Sequence, residues 1–319
     1  MMAFALYSLS NESDTVTVFA LGFSVIIILI SAINPDTLLN FILVQTKDGL
    51  EMRFDRHRST KKEIEETLEY AYKAESFNIK DLKNSQLLED ALNRNIKERS
   101  DADFLLIATK YWRDREYENA LRQVYMGLSI CENTTIKSYL EMRLASIFHL
   151  LGNKEIAEIL YYKSLEFDSS NSLSYNNLGN LLKDKGDWKE SEKMYKESIY
   201  YNESNSSAHS NYGSLLYQIG KIEEAEKMYR KSIELNKFSS SLYIKLASLL
   251  EEKGEVEEAE KIYRTFLIID KTNSSIYTNL GVILDKKGEV EEAEQLFRKV
   301  IELKPQYYLG YKNLGIVLK

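Results

Sequence analysis

Along most of the chain, apolar residues recur every three or four positions, the spacing of one face of an α-helix. From Ser172 onward this rhythm itself repeats with a period of 34 and no gap: 172–205, 206–239, 240–273 and 274–307, with a further start at 308–319. In each unit a first helix carries a large residue, then Leu, then a small residue (Tyr175, Leu178, Gly179; Tyr243, Leu246, Ala247; Tyr277, Leu280, Gly281; Tyr311, Leu314, Gly315). A glycine follows at Gly186, Gly220, Gly254 and Gly288, suited to the left-handed residue just past a helix end. A second helix then pairs a small residue with an aromatic four later: Ser191 and Tyr195, Ala225 and Tyr229, Ala259 and Tyr263, Ala293 and Phe297. Ser207, Ser241 and Ser275 are placed to cap the first helices. Glu257 with Lys261 and Glu260 with Arg264 are spaced as outer-face i, i+4 pairs.

Upstream the pattern weakens without vanishing. Residues 138–171 keep Leu144, Ala145, Gly152, Ala157 and Tyr161. Residues 101–134 keep Ile107, Ala108, Tyr111, Tyr117 and Ala120 but put Arg115 at the turn position. Together these columns resemble the tetratricopeptide repeat (TPR) family over about two thirds of the chain. The resemblance implies an all-α fold, a right-handed superhelix (α-solenoid) of helix-turn-helix units over 101–319. Its departure is the repeat-ending proline, present as Pro305 alone, with Glu203, Lys237 and Lys271 in the other units.

The N-terminal third reads differently. Residues 1–15 form a tail, and Val16–Ile33 runs eighteen residues without a charge. As a helix that stretch spans about 27 Å, which predicts one membrane crossing ended by Asn34-Pro35-Asp36. No Lys or Arg precedes Lys47, which disfavours a cleaved signal peptide. Lys47, Arg53, Arg56, Arg58, Lys61 and Lys62 follow, so charge placement puts the array in the cytoplasm of a single-pass membrane protein. Residues 34–100 are then a basic flank and helical connector. Within it Asp48-Gly49 is spaced for a hairpin, and Leu88, Leu92 and Ile96 for an amphipathic helix.

Composition removes several function classes. The net charge is -7, so no basic face for nucleic acid is indicated. One cysteine, Cys131, and the scattered His57, His149 and His209 offer no metal site. No phosphate loop, catalytic triad or nucleophile elbow stands out, so neither catalytic residues, cofactor nor small-molecule substrate is expected, and the chain reads as no enzyme.

Binding is the expectation instead. Stacked units build a concave groove from their first helices. One position per unit reads Asn177, Asn211, Lys245, Asn279, Asn313, a ladder that resembles the asparagine ladder in the repeat region of O-linked N-acetylglucosamine transferases. Asn176, Asn180, Lys183, Ser210, Ser214, Tyr217, Ser248 and Glu251 share that face. The expected ligand is a protein or extended peptide, and the expected role a membrane-anchored scaffold or adaptor. The alternative is the substrate-recruiting N-terminal part of a larger TPR-containing enzyme such as a glycosyltransferase. Five Asn-x-Ser/Thr sequons, at Asn11, Asn133, Asn202, Asn205 and Asn273, read as chance in an Asn- and Ser-rich chain.

Overall fold

The computed structural model describes residues 6–11, 14–19, 66–67, 71 and 86–319. The chain divides into two units, Met1–Phe54 and Asp55–Lys319. In the first, β1 (Leu6–Asn11) and β2 (Asp14–Phe19) pair antiparallel, with Leu6 opposite Phe19 and Asn11 opposite Asp14. The run Thr15-Val16-Thr17-Val18 is β-branched throughout, which favours extended backbone. This corrects the start of the expected membrane helix: Val16–Phe19 are strand, and the remainder of 16–33 lies outside the described residues. The hairpin expected at Asp48-Gly49 also lies outside them. Among the described residues no helix is long and apolar enough to cross a membrane.

The second unit is an all-helical repeat array. Helix α1 (Gln86–Asn93) and a 3-10 turn (Ile96–Glu98) lead into α2 (Asp101–Arg113) and α3 (Tyr117–Ile130). Five further antiparallel pairs and a single helix follow as α4 (Thr134–Leu150), α5 (Lys154–Phe167), α6 (Ser172–Lys185), α7 (Trp188–Tyr201), α8 (Ser206–Gln218), α9 (Ile222–Leu235), α10 (Ser240–Glu252), α11 (Val256–Ile269), α12 (Ser274–Lys287), α13 (Val290–Leu303) and α14 (Tyr308–Val317). Odd and even helices stack so that each unit covers the next, which is how short amphipathic helices bury their faces. The core is the set of repeat columns: Tyr195, Tyr229, Tyr263 and Phe297 pack with Leu246, Leu250, Leu280 and Leu284 in one continuous cluster.

Local chemistry sets the breaks. Gly152, Gly186, Gly220, Gly254 and Gly288 all have φ between +80° and +85°, conformations an L side chain resists. In the divergent unit Arg115 takes the same place at φ +64°, so the turn survives the loss of glycine at a cost in strain. The caps fall elsewhere than expected. Asn133, Asn171, Asn205 and Asn273 accept hydrogen bonds from the backbone N–H groups of Ile136, Ser174, Ala208 and Ile276. Ser207 and Ser275 sit inside the first turn, and at α10 the N-cap is Ser239, which makes no side-chain capping hydrogen bond. Three of the five sequons, at Asn133, Asn205 and Asn273, are therefore helix N-caps, and Asn205 is only 1% exposed. On the outer face Arg264 pairs with Glu260 at 2.7 Å as expected, while Lys261 turns to Glu258 at 3.6 Å instead of Glu257.

Candidate ligand groove

Two offsets in the repeat wire its first helices together. The first is fifteen residues, within a unit. The phenol of each second helix meets a polar group of the first: Tyr161 and Ser146 at 3.1 Å, Tyr195 donating to Asn180 Oδ1 at 2.7 Å, Tyr229 donating to Ser214 at 3.2 Å. Tyr263 continues the column against Ser248, with Asn279 and Glu251 beside it. Where the phenol becomes Phe297, the residue fifteen before it is Val282, which packs on the same core. Donor and acceptor are lost together, as burial without a partner would require.

The second offset is 35 residues, between units. Asn177 Nδ2 reaches back to Met142 Sδ at 3.4 Å and, four residues further on, Ser146 Oγ at 3.5 Å. Asn176 donates to Asn177 Oδ1, and Asn211 Nδ2 donates to Asn176 Oδ1, each at 3.0 Å. Lys245 Nζ donates to Ser210 at 3.0 Å and Ser214 at 3.1 Å. Tyr217 donates to Glu252 by the same step. The ladder stops there because Ile244 stands 35 residues before Asn279, and an alkyl chain accepts no hydrogen bond. Asn279 turns to Tyr263 instead. Asn313 is half-buried, and Thr278, 35 residues before it, donates its hydroxyl back to Ser274 at 2.8 Å.

The wired helices border a cavity of about 340 Å³. Of the residues expected to bind, Asn176, Asn177, Asn180, Ser210, Asn211 and Lys245 line it. Lys183, Ser214, Tyr217, Ser248, Glu251, Asn279 and Asn313 do not. The wall also includes Trp112, Ser146, His149, Tyr161, Ser207 and Ser241, which the sequence reading missed. The period held the signal for three of them: one unit upstream of Asn180 and Lys183 lie Ser146 and His149, and Trp112 stands in the His149 column of the divergent unit, five residues after Ile107 as His149 is after Leu144. Trp112 is held in place by the Arg143 guanidinium stacked 4.2 Å from its ring.

The electrostatics are uneven. Burial, reinforced by Lys183, pulls Lys245 below the usual lysine range. Among the described residues no carboxylate lies within ion-pair distance of Lys245. Burial pushes Glu251 up, against the pull of Lys286, and raises Tyr263 to about 12. His149 is lowered by burial although Asp184 sits 3.2 Å away. Among the described residues no group of three or more His, Cys, Asp or Glu is arranged to hold a metal ion.

The helix pairs and their column chemistry define a repeat scaffold, and comparison with known proteins gives the class. Models of the tetratricopeptide repeat match residues 170–237, 213–274 and 274–307, so the chain carries tetratricopeptide repeats across 170–307. Among solved structures, pilF of Pseudomonas aeruginosa matches at 21% identity and TM-score 0.55, over 68% of this chain and 96% of its own. The Cut9–Hcn1 hetero-tetramer of the APC/C matches at 12% identity and TM-score 0.58, over 79% of this chain and 48% of its own. YrrB, described as a TPR protein with an unusual peptide-binding site, matches at 22% identity and TM-score 0.45, over 59% of this chain and 96% of its own. These identities speak to the fold alone. No curated protein matches.

Proposed function

We propose that the array is a non-catalytic scaffold that holds an extended segment of a partner protein in the groove centred on Asn211 and Lys245. The observation that carries this reading is unused hydrogen-bonding capacity in a lined cavity. An amide has two protons and a carbonyl oxygen, and Asn211 spends one proton on Asn176. An ammonium has three protons, and Lys245 spends two on Ser210 and Ser214. The remaining groups are fixed by their neighbours and suit main-chain carbonyls and N–H groups of a peptide, with little ordering left to do on binding. A random peptide library selected on the intact chain tests it. Asn211→Ala with Lys245→Met is expected to weaken the selected peptides at least about tenfold at unchanged helicity; undiminished binding rejects the groove.

The same reading gives the uncharged run that follows β2, residues 20–33, the role of tethering the array to a membrane, with the array in the cytoplasm. The uncharged run and the basic residues after it support this. Tethering raises the effective concentration of the groove toward membrane-associated partners. Recovery of the chain in the membrane fraction after alkaline extraction is the expected result. A reporter fused after Lys319 that works only outside the cytoplasm would reject the orientation.

A further inference from the structure

Two adjacent columns near the ends of the first helices are polar almost throughout. One reads His149, Lys183, Tyr217, Glu251 and Asp285; the next reads Asp184, Gln218, Glu252 and Lys286, all four exposed. At the N-terminal end of the groove both columns turn apolar. Trp112 takes the first in α2, and Leu150 takes the second in α4. Neither has been drawn into the core, since Trp112 is half-buried and Leu150 is 57% exposed. Both line the cavity that Asn211 and Lys245 line, and the buried Tyr161 belongs to the same wall. The indole is also fixed in advance: Arg143, itself 0% exposed, holds its guanidinium 4.2 Å from the ring.

We infer that Trp112 and Leu150 form a subsite for one apolar side chain, a leucine, isoleucine or phenylalanine, of the extended segment held at Asn211 and Lys245. The inference rests on the reading of the groove as a peptide site and adds a requirement on the peptide's sequence. Continuity specifies the occupant, because one cavity joins the shelf to the polar groups of α8 and α10. The two ends do different work. At Asn211 and Lys245 each hydrogen bond to a peptide replaces one to water, so the polar end aligns the chain and adds little net affinity. At the shelf an apolar side chain takes Leu150 and the indole face out of water, and the pinned ring loses little freedom in the process.

Parallel selections from a random peptide library, on the 319-residue chain and on its Leu150→Asp variant, test the subsite. Leu150→Asp writes into α4 the residue that α6 carries at Asp184, at an exposed position, so folding is not at risk. The unaltered chain is expected to enrich one apolar position that the variant does not. Peptides from the first selection should bind the variant at least about tenfold more weakly, and replacing their apolar residue by serine should cost as much. Trp188→Phe, half-exposed on α7 and outside the cavity, leaves Trp112 as the single tryptophan, and its emission is expected to shift to the blue as a selected peptide saturates. Peptides that bind without an apolar preference, or that leave the Trp112 emission unchanged, overturn the subsite while the groove reading stands. A selection that yields no peptide rejects both. A Trp112 emission that reddens on dilution of the free chain also overturns the subsite, and assigns the shelf to a second copy.

Discussion

Asn180 stands in the groove wall, yet its carbonyl is already committed to Tyr195, and a double-mutant cycle on that pair separates scaffold from ligand contact. The hydrogen bond is 2.7 Å long, and the Tyr195 side chain is fully buried. Tyr195→Phe removes the donor, but half-exposed Asn180 can turn to water, so the loss is about 1 kcal/mol. Asn180→Val strands a buried phenol whose ring is pinned over Gly179, a loss of about 2 kcal/mol. The double variant recreates the native pair of Phe297 and Val282 and leaves nothing stranded, so its cost is at most about 1 kcal/mol, a coupling of about 2 kcal/mol. Repeat arrays open unit by unit, so the assay is amide hydrogen exchange resolved to α6 and α7. Expected accelerations are about fivefold, about thirtyfold and, for the double variant, about fivefold or less. Exchange in the double variant equal to the product of the singles, about 150-fold, would refute the pairing rule.

Arg115→Gly relieves a left-handed L residue at φ +64° and is expected to slow exchange in α2 and α3 by about fivefold, or about 1 kcal/mol; unchanged or faster exchange contradicts the strain. Burial lowers both His149 and His209, so below the unfolded value of about 6.5 the unfolded chain binds more protons than the folded one. Their contribution is present in full above pH 6.5 and is lost as pH falls through that value toward the folded ones. The melting temperature should therefore drop between pH 7.5 and 5.5, and His209→Gln, which can still donate to the Glu203 carbonyl that the ring meets at 3.0 Å, should flatten the drop. Identical slopes in the two proteins would exclude His209 as a source.

Helix boundaries were legible from the sequence because each is enforced by a local rule that recurs: glycine where φ must be positive, an aromatic over a small residue where two helices cross. The caps were misplaced for a reason visible in unit 206–239. Asn205 caps, and the serine after it, Ser206, is buried and exchanges hydrogen bonds with Ser232 of the second helix, its hydroxyl 3.0 Å from the Ser232 carbonyl. The capping amide and its buried neighbour fill the first two positions of Asn-x-Ser, and Ser207 in the first turn of the helix completes the sequon, so the fold accounts for Asn205 and Ser206 without any sugar being involved. Part of the groove was legible for a similar reason, since one column of a periodic helix face must point the same way in every unit. What the columns could not show is the offset of 35, which arises from the stagger of one helix against the next and is seen only when helices are stacked. That stagger turns Asn176, Asn177 and Asn211 into one another's partners, so most of the apparent ladder is internal wiring. The substitution of Lys245 for asparagine matters more than the repetition around it. It places the wiring's end at an ammonium with a proton to spare and no carboxylate among the described residues to take it. Ile244 then cuts the ladder one step later, so the groove's polar chemistry converges on α8 and α10 instead of running the length of the array.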